Sequence, residues 1–342
     1  MSAASLKIRR QHFGKPRKSK LPHTRQFSAA SFVQKVSRAF FIVGPTAIGK
    51  SELAARVAGE VNAEIVSADA FQIYCGLDLL TAKPDAPTLV KARHHLIGTV
   101  SLTEQMNAEK YRRAARCAIE EINLRGKLAI VVGGSGLYIK ALTHGLARLP
   151  ESDPKVREKL NAMSLDDLRS QLVELDPEIA RNIDLKNRRR VTRALEICLL
   201  TGKPASAQLE RSPVAASLCE AQTAGAFVFR DREELYERIN QRVENIFERG
   251  VVEEVRNAGE TSVTAAQMIG LREIRELLAG KKSLPQCIAE IQQATRRYAK
   301  RQLTWFRRQT NFAPLNLSFL THNEAVKWIS LRILSETGTQ DD

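Results

Sequence analysis

Eight consecutive residues, Gly44-Pro45-Thr46-Ala47-Ile48-Gly49-Lys50-Ser51, have the types and spacing to hold a phosphate. They match G-x-x-x-x-G-K-[ST]. In that pattern the glycines let successive backbone N–H groups converge on an anion, and the helix that follows adds partial positive charge. Lys50 supplies a point charge, and the Ser51 hydroxyl is the candidate Mg²⁺ ligand. The context fits: an apolar run, Ala39–Val43, comes before the turn, and a helical pattern over 51–60 comes after it. The motif alone leaves the reaction open, because many activities share it. A nucleotide-driven motor would also place an acidic residue at the end of a later strand. The candidate strand Leu128–Val132 runs instead into Gly133-Gly134-Ser135-Gly136. The expected anion is therefore a diphosphate or a triphosphate, without a motor.

Asp69 is the second group with chemistry to offer. It stands just past Glu64-Ile65-Val66-Ser67, a strand pattern. In an open α/β sheet the carboxyl ends of the strands face the ligand crevice. Its carboxylate can accept a proton from a nucleophile or help organise Mg²⁺; the plainer role is a turn or helix cap. Two basic stretches lie further on. Lys186-Asn187-Arg188-Arg189-Arg190, with Arg193, opens a helical pattern. Thr295–Arg308 holds Arg296, Arg297, Lys300, Arg301, Arg307 and Arg308 without an acid, and Tyr298, Trp305 and Phe306 interleave. Such charge follows a phosphate backbone, and aromatics stack on splayed bases. Trp305 and Phe306 are nevertheless expected to pack in the core. His94-His95 raise the question of a metal, but neighbours in a strand point to opposite faces, so a structural role is expected.

These groups need a frame. Ala39–Val43, Glu64–Ser67 and Leu128–Val132 read as buried parallel strands, and Asn107–Arg125 is amphipathic with Gly126 as its stop. Strand, helix, strand alternation predicts an α/β fold with a parallel sheet. From Leu149-Pro150 the chain turns helical and polar until Ala226–Arg230, which reads as one more strand. Helical patterns follow over Arg232–Glu248, Thr264–Leu278 and Leu284–Arg308. The expected layout is a basic tail (1–37), a P-loop α/β core (38–148 and 224–318), a helical insertion (149–223) and a C-terminal helix with tail (319–342).

The 342 residues carry 53 Lys and Arg against 38 Asp and Glu, a net charge of +15. A hydrophobic share of 43% excludes a wholly disordered chain. The five cysteines, Cys75, Cys117, Cys198, Cys219 and Cys287, are sparse and form no C-x-x-C pair, which argues against a disulfide scaffold or zinc. No apolar stretch is long enough to span a membrane. Nine of the positive charges fall in the tail, which contains no acid. The tail is expected to be a disordered basic extension, with an organelle transit peptide as the lesser alternative. Strong basicity points to a polyanionic partner.

Several motifs occur together and in order. After Gly44–Ser51 and Ser67-Ala68-Asp69 come Thr81-Ala82-Lys83-Pro84, His94-His95-Leu96-Ile97 and Gly133-Gly134-Ser135-Gly136-Leu137-Tyr138. Arg190-Val191-Thr192-Arg193-Ala194-Leu195-Glu196, Arg238-Ile239-Asn240-Gln241-Arg242, Gln267-Met268-Ile269-Gly270 and the Thr295–Arg307 string follow. In this the chain resembles the tRNA dimethylallyltransferase family of bacterial type, over roughly residues 38–315. The Thr295–Arg307 string is the most specific piece and the P-loop the least.

The resemblance implies an enzyme that moves a dimethylallyl group from dimethylallyl diphosphate to N6 of adenosine 37 in the tRNA anticodon loop. Gly44, Pro45, Thr46, Ala47, Ile48, Gly49, Lys50 and Ser51 would then bind a diphosphate, with Mg²⁺ on Ser51. Asp69 matches the family's general base, Ser135 stands where many members have Thr, and Arg242 matches an arginine on the diphosphate. The positions implied for tRNA are Asp69, Ala70, Phe71, Gln72, Arg157, Arg189, Arg190, Val191, Thr192 and Arg193, with the insertion clasping the anticodon stem. The chain departs from the common pattern at Ala70-Phe71, where many members read Ser-Arg. It also departs at Leu79-Leu80, at Gly98 and at Gly270-Leu271-Arg272. A cytoplasmic monomer is expected. The rival expectations are a P-loop nucleotide or small-molecule kinase and a non-catalytic RNA-binding relative.

Overall fold

Six strands form one sheet in the computed structural model: Ala39–Val43 (β1), Ala63–Ala68 (β2), His94–His95 (β3), Leu128–Gly133 (β4), Ala224–Phe229 (β5) and Ala313–Asn316 (β6). Their order is β3-β2-β4-β1-β5-β6, and every pairing is parallel. The structure describes residues 39–147, 149–211, 223–309 and 311–337. The expected basic tail lies outside these residues, as do 212–222 of the expected insertion and 338–342 of the C-terminal tail.

β1 and β4 are nearly continuous apolar runs because both of their faces are covered. Side chains alternate between two cores, Phe41 and Val43 on one face of the sheet and Phe40 and Ile42 on the other. The helices preceding the insertion are Lys50–Glu60 (α1), the short Ala86–Leu89 (α2), Ala108–Leu124 (α3) and Gly136–Thr143 (α4). α3 buries Tyr111, Ala115, Ala118, Ile119 and Ile122, a single stripe at helical spacing. Asn107 caps its start by accepting from the Lys110 N–H, at 2.8 Å.

Five helices follow: Pro154–Ala162 (α5), Leu165–Leu175 (α6), Pro177–Asn182 (α7), Arg188–Thr201 (α8) and Ala205–Arg211 (α9). They enclose a hydrophobic cluster of their own, built on Leu160, Leu168, Leu172, Val191 and Leu195. The chain then returns to the sheet as β5. Arg232–Glu248 (α10), Val251–Arg256 (α11), Leu271–Leu278 (α12), Leu284–Gln309 (α13) and His322–Thr337 (α14) complete the fold.

The outcome is the α/β, P-loop type of parallel sheet expected from the sequence. One local expectation needs correction. The pattern over Thr264–Leu278 is not one helix: a single 3₁₀ turn spans Ala265–Gln267, and α12 starts after Gly270. Gly270 has φ +96°, and a Cβ there would lie 2.8 Å from Leu80 Cδ1, so the chain must break at a glycine. The strand β6 does not stand out in the sequence. It is short and holds Pro314, which only a sheet edge tolerates.

Candidate active site

β1 lies between β4 and β5, and the chain steps outward from it in both directions. The carboxyl edge beside β1 is therefore the sheet's switch point, where a crevice opens. The anion turn begins there. Gly44 is packed so closely that a Cβ would lie 2.0 Å from the Val228 carbonyl oxygen. Ala47 and Gly49, at φ +65° and +92°, curl the turn into the start of α1. Lys50 Nζ folds back to donate to the Pro45 carbonyl.

Three arginines hold the turn from its β5 side. Arg238 Nε donates to the Ala47 carbonyl at 3.0 Å, and Arg230 Nε to the Ile48 carbonyl at 3.3 Å. Arg242 donates to the Thr46 hydroxyl at 2.9 Å, and more weakly to the Thr81 carbonyl. Arg238 and Arg242 are four residues apart on α10, so both side chains leave the same helix face. Gln302 of α13 reaches in from the other side. Its Oε1 accepts from the Thr46 N–H at 2.9 Å.

The electrostatics match an anion site. Desolvation pushes the Lys50 ammonium down to about 7, with Asp69 pulling it up and Arg242 pushing it further down. Burial also lowers Arg242, and Asp69 again opposes the shift. Two desolvated cations beside one carboxylate leave positive charge to be neutralised, which is what a bound diphosphate would supply.

Asp69 ends β2 in a tight turn. Its Oδ1 accepts from the Phe71 and Gln72 N–H groups, at 2.9 and 3.2 Å. The next N–H, that of Ala70, donates to Ser135 Oγ at 2.9 Å. Ser135 follows β4, so this contact ties the ends of two adjacent strands. Burial pushes the Tyr298 phenol well above its usual range, the Asp69 charge pushes the same way, and the nearby Ser135 and Gln302 oppose the shift. The structure thus brings Asp69, Ser135, Lys50, Arg242 and the 44–51 turn to one place. Ser51, in the first turn of α1, lines a small pocket with Ser67, Gln72 and His94.

The residues implied for tRNA fall into three groups. Ala70, Phe71 and Gln72 border the site, but Phe71 packs against the core, and the Gln72 amide donates to the Thr81 and Ala82 carbonyls. Arg157 and Arg193 converge on Glu196, at 2.8 and 2.7 Å. Burial alone would raise the Glu196 carboxyl, but donors from Ser152, Arg193 and Arg157 hold it below its usual range. Arg189 and Arg190 are exposed in the first turn of α8, whereas Val191 and Thr192 are buried in the insertion's own core. The side chains of Val191 and Thr192 therefore offer no surface to RNA, unlike the two arginines before them. The neighbouring Arg188 donates to the carbonyls of Leu160, Asn161 and Met163 and so closes the end of α5.

The histidines do structural work. His95 Nε2 meets Glu64 at 2.8 Å within a cluster that includes Arg125 and Lys127, and His94 Nδ1 meets the Ala92 carbonyl. Phe306 is buried, and Trp305 packs edge-on against it and over Gly136. Gln302, Arg230 and Arg238 were not singled out from the sequence. The signal for Arg238 is its spacing from Arg242, and for Gln302 its spacing of four from Tyr298.

The IPP transferase family model matches residues 72–309. The tRNA dimethylallyltransferase 1 of Citrifermentans bemidjiense is 43% identical over 81% of this chain and 92% of its own length. That of Akkermansia muciniphila is 40% identical over 87% of this chain and 99% of its own. Among solved structures, the tRNA isopentenylpyrophosphate transferase of Bacillus halodurans matches 88% of this chain and 97% of its own. Its identity is 32% and its TM-score 0.64. A eukaryotic dimethylallyltransferase acting on tRNA covers 89% of this chain and 81% of its own, with 26% identity and a TM-score of 0.73. The family match begins three residues after Asp69. The chain belongs to the IPP transferase family, the tRNA dimethylallyltransferases.

Proposed function

We propose that the chain transfers a dimethylallyl group from dimethylallyl diphosphate to N6 of adenosine 37 in the tRNA anticodon loop and releases diphosphate. The observation that carries this is the placement of one carboxylate, Asp69, within electrostatic reach of both Lys50 and Arg242 at the mouth of the anion turn. A base beside a phosphate cradle, with Gly134-Ser135 where a motor would carry an acid, suits alkylation with a diphosphate leaving group. In the reaction the allylic C1–O bond breaks and its electron pair leaves with the diphosphate. The N6–C1 bond forms, and the N6 proton passes to the Asp69 carboxylate. Lys50, Arg242 and the turn's N–H groups stabilise the charge that grows on the leaving group. Asp69 is held for this by the two N–H groups of its own turn, which fix one carboxylate oxygen.

A Mg²⁺ ion is part of the proposal. No group of three or more His, Cys, Asp or Glu gathers into a metal cage among the described residues. This donor set fits an ion held mainly by substrate phosphates and water. Ser51 would supply its hydroxyl. The ion, when bound, neutralises charge on the diphosphate.

The target base has to leave its stack, at a cost of about a few kcal/mol that is lowest in a single-stranded loop. Arg189 and Arg190 of the insertion are the proposed contacts to the stem phosphates. No described helix is long and apolar enough to cross a membrane. A monomer working on tRNA in the cytoplasm completes the proposal.

The test is incubation with unmodified tRNA, dimethylallyl diphosphate and Mg²⁺, followed by mass analysis of the nucleosides. Prenylated adenosine is expected. Its absence, with ATP consumed instead, overturns the proposal.

A further inference from the structure

Gln302 is a buried amide, 5% exposed, with both ends of its side chain committed. Oε1 accepts from the Thr46 N–H at 2.9 Å, and Nε2 donates to the Gly134 carbonyl at 2.8 Å. Thr46 lies in the anion turn that follows β1, and Gly134 in the turn that follows β4, the neighbouring strand. The fit is close: a Cβ on Gly134 would lie 2.2 Å from Gln302 Nε2. The glycine makes room for the amide. One side chain on α13, a helix remote from either in sequence, thus braces both turns, beyond the backbone contact of the Gly44 N–H with the Gly133 carbonyl at 3.3 Å.

The bridge continues to the base. Tyr298, one helical turn before Gln302, has its hydroxyl close to both Gln302 and Ser135. Ser135 Oγ in turn accepts from the Ala70 N–H, next to Asp69. The Thr46 hydroxyl, on the residue Gln302 holds, is the partner of Arg242. A neutral amide suits this place because it offers one acceptor and one donor without adding charge beside an anion pocket.

We infer that Gln302 is a positioning residue: it sets the distance between the anion turn and the Ser135 turn, and hence between the bound diphosphate and Asp69. This rests on the diphosphate reading given above. Gln302 touches neither substrate in this account and acts through Thr46 and Gly134. Misalignment of the reacting groups lowers turnover even when each substrate still binds.

The test compares Gln302→Met and Gln302→Glu with the unaltered full chain. Met keeps length and packing but makes neither hydrogen bond. Glu keeps an acceptor for the Thr46 N–H but sets a carboxylate against the Gly134 carbonyl and the diphosphate. Steady-state transfer is measured against dimethylallyl diphosphate, and tRNA affinity is read on the same preparations, which also reports folded protein. We expect kcat/KM for dimethylallyl diphosphate to fall about tenfold in Gln302→Met and further in Gln302→Glu, with tRNA Kd within about twofold. Unchanged kcat/KM in both variants overturns the inference. So does a parallel loss of tRNA affinity, which would make Gln302 a general core residue. An unaltered chain that transfers nothing sinks the diphosphate reading, and this inference with it.

Discussion

Arginine serves two opposite purposes in this molecule. At the sheet edge, Arg242 is withdrawn from water and pinned to the Thr46 hydroxyl, and burial lowers its pKa together with that of Lys50. In the helical insertion, Arg189 and Arg190 stand in solvent. They also occupy the first turn of α8, where the helix dipole disfavours cations. Local helix stability does not explain them there, and contact with tRNA phosphates is the role proposed for them. Between these extremes sit Arg157 and Arg193, tied to the fully buried Glu196 at the root of the insertion. The difference teaches how one residue type discriminates ligands. Desolvated cations fix a small anion to one geometry and couple its binding to protons. Exposed cations follow a polymer backbone loosely and are screened by salt.

The comparison breaks most decisively at Asp69. Asn in its place can still accept from the Phe71 and Gln72 N–H groups, so the turn should survive while the proton acceptor is lost. Asp69→Asn is expected to lower the transfer rate by about 10²–10⁴-fold, with tRNA affinity nearly unchanged in a filter-binding or anisotropy assay. An equal loss of tRNA affinity would move Asp69 from chemistry to RNA positioning.

A smaller effect is expected from pH. In the free chain Lys50 loses its proton near pH 7, because its site is desolvated, an effect that Asp69 opposes and Arg242 adds to. A bound diphosphate favours the ammonium and raises that pKa. Binding above pH 7 must then take up a proton, so affinity for dimethylallyl diphosphate should fall as pH rises through 7 to 8.5. The limit is about tenfold per unit. Calorimetry in buffers of different ionisation enthalpy would show uptake approaching one proton. A pH-independent affinity, or proton release, would remove Lys50 from the anion site. No comparable proton coupling is expected for tRNA binding to Arg189 and Arg190.

Much of this frame is legible in the chain itself, for physical reasons. β1 and β4 are buried on both faces, so Ala39–Val43 and Leu128–Val132 stand out as apolar runs. The anion turn is legible because its glycines and lysine are constrained by backbone geometry at fixed spacing. β3 and β6 are harder to see, since one is two residues long and the other holds an edge proline. Arg238 and Arg230 act on backbone carbonyls about 190 residues away in the chain, and Gln302 on Thr46 some 256 residues away. No local pattern encodes such pairings. The insertion shows the same limit: Arg157, Arg189, Arg190 and Arg193 look alike in sequence, and only the fold's placement of the buried Glu196 separates those that pair with it from those that face solvent.

The smallest expected effect is also the one that most sharpens the contrast between the two regions. Arg190 is exposed, and its backbone N–H, not its guanidinium, is what Asn187 caps. Arg190→Ala should therefore leave the fold and the sheet-edge chemistry intact. If the side chain contacts one stem phosphate, its loss reduces the slope of log K against log salt by about 0.7–0.9, with only a modest loss of affinity at physiological ionic strength. The rate at saturating tRNA should not change, because no contact among the described residues links Arg190 to Lys50, Asp69 or Arg242. An unchanged salt slope would place Arg190 off the tRNA path. A lower saturated rate would show that the insertion does more than hold the substrate, since a contact made equally in ground and transition states affects KM without affecting kcat.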